Sequence, residues 1–144
     1  MATERSAQVT WQGDLLSGSG EIHEAPSGAF GPLAVTWASR TEEPGGKTSP
    51  EELIAAAHAA CFSMTLSSRL AKAGTPPERL ETSATVTFVP GTGITKSALT
   101  VVGSVPGIDE AAFVAVAEQA KEGCPVSGAL KGNVELTLDA RLQH

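Results

Sequence analysis

Tyrosine is absent from the chain, and the other aromatics are four phenylalanines and two tryptophans. The core must therefore be built from valine, leucine, isoleucine and alanine. Cysteine is scarce too. Cys61 and Cys124 are the only two, and they lie far apart in sequence. Their separation excludes a zinc knuckle. In a reducing cytosol a permanent structural disulfide is disfavoured, whereas a transient catalytic one stays open. Long apolar runs are missing as well. The longest, residues 53–62, is broken by His58 and is too short to span a bilayer. The first eight residues hold no apolar segment of the secretory kind, so a cytoplasmic location is expected. Basic side chains are outnumbered, 10 against 16 acidic, for a net charge of -6. With no basic patch, nucleic acid is not an expected partner. What remains is a chain of 144 residues, 41% hydrophobic and 18% charged. That composition fits one soluble globular domain spanning residues 1–144, with a modest core.

The pattern along the chain predicts an α+β fold. Residues 9–14, 18–23 and 33–40 read as three strands of an N-terminal antiparallel meander, the last alternating Leu33, Val35 and Trp37 on one face. The strongest helix is expected over residues 49–73. Ser49 is a good N-cap, Pro50 suits the first turn, and Glu52 completes a Ser-x-x-Glu capping box. Gly74 and Pro76-Pro77 end it. Such a helix is roughly 36 Å long. Its alanine-rich, apolar middle predicts burial on several sides, one of which a second chain could supply. Two further strands follow, 80–89 and 94–105, joined by the Pro90-Gly91-Thr92-Gly93 turn. Asp109 caps a second helix, and Ile108 and Phe113 are spaced as a hydrophobic staple. Gly123 ends that helix, Cys124-Pro125 opens a short helical turn, and residues 134–142 alternate as a final strand.

Few residues offer chemistry. Cys61, inside the long helix, reads first as a buried small hydrophobe. Cys124 sits before a proline that presets helical φ, so its sulfur lies near a helix N-terminus, which favours a thiolate. Cys61 lies about 16 Å beyond its own helix start, too far for that dipole to act. If it is reactive it needs a discrete cation. Arg69 is about 12 Å further along the helix and is a poor choice. Arg40, just before the helix, is better placed, and Glu51 could orient it. Taken alone, the two are a surface charge and a residue that complements the helix dipole. Glu51 and Cys61 are separated by about 15 Å along one helix axis, so a compact site using both would need two chains. His58, one turn before Cys61, could pair with it in a hydrolase or metal site, but a packed histidine is the more ordinary reading. His23 and His144 have no partner at useful spacing.

The stretch Thr48-Ser49-Pro50-Glu51-Glu52-Leu53, running into His58-Ala59-Ala60-Cys61-Phe62-Ser63-Met64, resembles the signature helix of the OsmC/Ohr family, the osmotically inducible and organic hydroperoxide resistance proteins. Val105-Pro106-Gly107-Ile108-Asp109 and Gly123-Cys124-Pro125-Val126-Ser127 resemble its second signature, and Trp11-Gln12-Gly13-Asp14 fits its start. The wording is closer to the OsmC branch than to Ohr. The resemblance implies an α+β, OsmC-like fold with antiparallel strands around a long central helix, assembled as an intertwined homodimer with shared active sites. It implies a cysteine-based reductase of organic hydroperoxides, acting less well on hydrogen peroxide, in oxidative and osmotic stress defence. No metal or other cofactor is implied. Cys61 corresponds to the peroxidatic cysteine and Cys124 to the resolving one. Glu51 and Arg40 correspond to the groups that stabilise the Cys61 thiolate and polarise the peroxide. A dithiol, in some members a lipoylated protein, restores the thiols. Two rivals stand beside this: a redox-sensitive small-ligand binding module without turnover, and a zinc protein using Cys61, Cys124 and His58.

Overall fold

A computed structural model describes residues 2–143. The chain divides into two compact units between Leu53 and Ile54. The first is built on a three-stranded antiparallel meander, β1 (Val9–Gln12), β2 (Ser19–Ile22) and β3 (Leu33–Val35), in that spatial order. Gly20 sits mid-sheet because a β-carbon there would fall 2.7 Å from the Trp11 ring. The strand expected over residues 33–40 is interrupted. β3 ends at Val35, and Trp37–Thr41 form a short helix, α1. Thr36 and Ser39 explain the break. The Thr36 hydroxyl accepts from the Ser39 N–H at 3.0 Å, and the Ser39 hydroxyl accepts from the Thr36 N–H at 3.0 Å. This reciprocal box satisfies two backbone donors at once and overrides the strand-like alternation. Arg40 therefore projects from a helix, not from a strand end.

Helix α2 runs Pro50–Lys72 without interruption. Its start is capped as expected, with the Glu52 N–H donating to the Ser49 hydroxyl at 3.1 Å. The Glu52 carboxylate accepts from the Thr48 hydroxyl at 2.6 Å. A Lys and an Arg in the last turn suit the negative end of the dipole. Within the second unit the buried positions of α2 are His58, Phe62, Leu66 and Leu70. They recur every fourth residue and make one stripe. Ala56, Ala57, Ala60 and Met64 are exposed, so burial is one-sided within this chain.

The second unit carries a mixed sheet ordered β4 (Arg79–Val89), β5 (Gly93–Ser104), β6 (Glu135–Leu142). β4 and β5 form the expected antiparallel hairpin. β6 departs from the all-antiparallel expectation and pairs parallel to β5. The connection between them holds two helices, α3 (Glu110–Gly123) and α4 (Pro125–Leu130), which carry the chain back so that it re-enters the sheet in the same direction. The core joins the α2 stripe to Leu99, Val101, Phe113, Ala117, Ala120 and Cys124. Gly103 is required here by close approach, since a β-carbon would fall 2.5 Å from the Phe113 ring. Among the described residues, no helix is long and apolar enough to cross a membrane.

Candidate active site

Cys61 lies midway along α2 and is half-buried, while Cys124 is fully buried at the N-cap of α4. Two local features place Cys124. Its N–H donates to the Ala120 carbonyl at 2.9 Å, closing α3, and Pro125 then opens α4. Cys124 thus hinges two helices and points its sulfur into the core. The preceding Gly123 packs beneath the Arg69 guanidinium, where a β-carbon would fall 2.3 Å from Nη2. Both cysteines are free thiols. They are neighbours: Cys61 packs against the core cluster that holds Cys124, and Cys124 acts on the Cys61 thiol.

This environment holds Cys61 in the thiol form. Burial raises its pKa above the ordinary value of 9.0, and the neighbouring Cys124 raises it further. Two weaker influences oppose the rise: the Val126 backbone N–H and the Thr65 hydroxyl, both of which favour a thiolate. Val126 is in the first turn of α4, where N–H groups have no intrahelical partner. Thr65 is one turn beyond Cys61 on α2. The sequence places Thr65 on the Cys61 face of the helix by its i, i+4 spacing but gives no signal for the Val126 N–H.

His58 is the packed histidine that the sequence favoured, and its partners identify what it does structurally. Its Nδ1 meets the Ser97 hydroxyl of β5 at 2.6 Å, and its Nε2 meets the Ser127 hydroxyl of α4 at 2.8 Å. All three residues are buried. Burial lowers the pKa of His58 from 6.5, so the ring is neutral, donating through one nitrogen and accepting through the other. Both ring nitrogens are thus engaged by hydroxyls and neither is paired with Cys61. Among the described residues no group of three or more His, Cys, Asp or Glu side chains converges as a metal site.

Arg40 and Glu51, in the first unit, are brought together. The Arg40 Nη2 lies 2.9 Å from Oε2 of Glu51, and its Nε lies 3.0 and 3.1 Å from the two carboxylate oxygens. This two-pronged contact is the strong form of the Arg–carboxylate pair. Glu51 is buried, and Arg40 is largely covered. The guanidinium also lies over the Trp37 ring, 5.8 Å from its centroid. Beside it opens a cavity of about 310 Å³ walled by Trp11, Ile22, Val35, Trp37 and Leu53. The pair is thus a fixed, oriented cation at the edge of an apolar hollow.

Residues 43–139 match the family of OsmC-like proteins. The chain belongs to the OsmC-like family. Full-length similarity supports this. The chain is 42% identical over 146 residues to the peroxiredoxin OsmC of Escherichia coli (strain K12), with 99% of each chain covered. It is 34% identical over 97 residues to an organic hydroperoxide resistance protein of Xanthomonas axonopodis pv. citri (strain 306), covering 65% of this chain and 67% of the other. Among solved structures, the organic hydroperoxide resistance protein OhrB of Bacillus subtilis superposes with a TM-score of 0.71 at 24% identity, covering 94% of this chain and 98% of that one. The α+β architecture is therefore that of the OsmC-like fold.

Proposed function

We propose that this OsmC-like protein is a thiol-dependent peroxidase that reduces organic hydroperoxides, with Cys61 as peroxidatic and Cys124 as resolving cysteine. The observation that carries this reading is the adjacency of the two free thiols, one half-buried and one buried. The names of the relatives, a peroxiredoxin and a hydroperoxide resistance protein, agree with it. The Cys61 thiolate attacks the distal peroxide oxygen. The O–O bond breaks, the alkoxide takes a proton and leaves as an alcohol, and Cys61 becomes a sulfenic acid. The Cys124 sulfur then attacks the Cys61 sulfur. The S–O bond breaks, an S–S bond forms, and hydroxide leaves with the Cys124 proton as water. A dithiol reductant, such as a lipoylated protein, reduces the disulfide by exchange and is itself oxidised. A reducing compartment, the cytoplasm, suits that cycle.

The reading needs a cation, because the surroundings of Cys61 within this chain favour the thiol. Arg40, held by Glu51, is that cation in the proposal, supplied by a second copy in a homodimer with shared sites. Two facts support the dimer. Glu51 and Cys61 are both on the unbroken helix α2, about 15 Å apart along its axis. The exposed face of the same helix is small and apolar, at Ala56, Ala57, Ala60 and Met64. The apolar walls beside Arg40 suit the hydrocarbon part of an organic peroxide better than hydrogen peroxide.

The test is peroxide consumption by purified protein with reduced lipoamide, comparing cumene hydroperoxide with hydrogen peroxide. Faster turnover of the organic peroxide is expected. No turnover, with both thiols still titratable after exposure, would refute the peroxidase and leave a binding module.

A further inference from the structure

The same two helices that bring the thiols together are joined one turn away by a second, polar contact. His58 precedes Cys61 by three residues on α2, and Ser127 follows Cys124 by three residues across the start of α4. The His58–Ser127 hydrogen bond and the Cys61–Cys124 contact are therefore successive rungs between one pair of elements, about 4.5 Å apart along each. We infer that His58 is a positioning residue for disulfide closure, its hydrogen bond to Ser127 fixing α4 and so holding Cys124 against Cys61. The inference rests on the peroxidase reading for its purpose, but not for its geometry.

The reason α4 needs such a hold is its size. It is six residues long and has no side-chain cap bond at its N-terminus. A helix that short does not persist without tertiary contacts. Its one buried side chain is that of Ser127, a hydroxyl that can be buried only with a partner. That partner is His58, which is anchored in turn to Ser97 on the central strand of its sheet. The tie therefore runs from sheet to α2 to α4. Closure breaks the sulfenic S–O bond of Cys61, forms the S–S bond, and releases hydroxide with the Cys124 proton as water. Its rate depends on where Cys124 is held. Attack of Cys61 on peroxide depends on it less directly, because Cys124 and the Val126 N–H of the same segment act on the Cys61 thiol in opposite directions. Cutting the tie should slow the second step and spare the first.

Ser127→Ala removes the hydroxyl with the least change of volume, and His58→Phe removes both hydrogen bonds while keeping a ring. Stopped-flow mixing with cumene hydroperoxide would follow loss of the Cys61 thiol and then disulfide formation. In both variants closure is expected to slow about ten-fold, the scale of one lost buried hydrogen bond. Attack should stay within about two-fold of the parent rate, and mass spectrometry should show more sulfinic Cys61, since a stalled sulfenic acid is open to further oxidation. His58→Gln, which keeps a donor and an acceptor, should close faster than His58→Phe. Equal slowing of both steps, unchanged closure, or equal closure in His58→Gln and His58→Phe would overturn the inference. Closure is also driven without peroxide by diamide, which takes two electrons and two protons from the thiols and becomes the hydrazine. If the parent protein consumes no peroxide, the peroxidase reading fails, while closure under diamide still decides whether His58 positions Cys124.

Discussion

Arg40 and Glu51 meet through three charged hydrogen bonds beside an apolar hollow, whereas Cys61 and Cys124 meet against a dry core that disfavours charge. The first region stores an oriented charge and has no thiol. The second stores two nucleophilic atoms and pushes the more accessible one away from its reactive form. In the first, residues eleven apart in sequence are tied locally by the Thr36–Ser39 box that starts α1 and by the capped start of α2. In the second, residues distant in sequence are joined by α3 and α4 returning the chain to the sheet. In the proposed shared site, one would supply the charge and the other the thiols.

The largest effect should come from the thiols. Cys61→Ser is expected to reduce peroxide consumption to background, whereas Cys124→Ser should consume about one peroxide per chain and then stall, because a sulfenic acid forms but cannot be resolved. Stopped-flow and steady-state assays on the same preparations separate the two. Next comes the charge. Arg40→Ala should lower kcat/KM for cumene hydroperoxide about a hundred-fold, the size associated with one preorganised charged partner. Arg40→Lys should recover only part of this, since the ammonium lacks the fork that engages both Glu51 oxygens. The pH dependence of Cys61 alkylation sharpens the point. In the assembled protein the midpoint should lie below 9.0, and in Arg40→Ala it should move above 9.0, the direction set by burial and Cys124. A smaller loss, about ten-fold, is expected for Glu51→Gln, which leaves the cation but removes the charge that orients it.

The smallest effect concerns stability. The folded-state pKa of His58 is lowered by burial from 6.5. The unfolded chain therefore binds this proton more readily than the folded one. The contribution of a neutral His58 is fully present above about 6.5 and is lost as pH falls below it. Denaturant midpoints should drop between pH 7 and pH 5, and the part due to this residue should vanish in His58→Phe.

Much of this is legible in the sequence. Ser49, Pro50 and Gly74 mark the long helix within a residue of its ends, because caps act locally. The hairpin of β4 and β5 follows from alternation and a Pro-Gly turn in the same way. The alternation of Leu33, Val35 and Trp37 reads Arg40 onto a strand. The competing Thr36-x-x-Ser39 signal was present in the letters but lacks the Glu or Gln usual at its fourth position. The direction of β6 was not legible, since alternation is the same in parallel and antiparallel strands. Ser97 and Ser127 were also out of reach. A buried histidine demands partners, but nothing local says which hydroxyls, 39 and 69 residues away, will supply them.

The shared site is tested most directly by mixing two crippled chains. Arg40→Ala keeps Cys61, and Cys61→Ser keeps Arg40. The two would be co-expressed with different tags, and the mixed population assayed with cumene hydroperoxide and reduced lipoamide. If each site combines Cys61 of one chain with Arg40 of the other, every heterodimer regains one complete site. Random pairing then restores about a quarter of the parent activity. Activity no greater than the sum of the two separate variants, in a sample shown by its tags to contain heterodimer, would contradict the shared site.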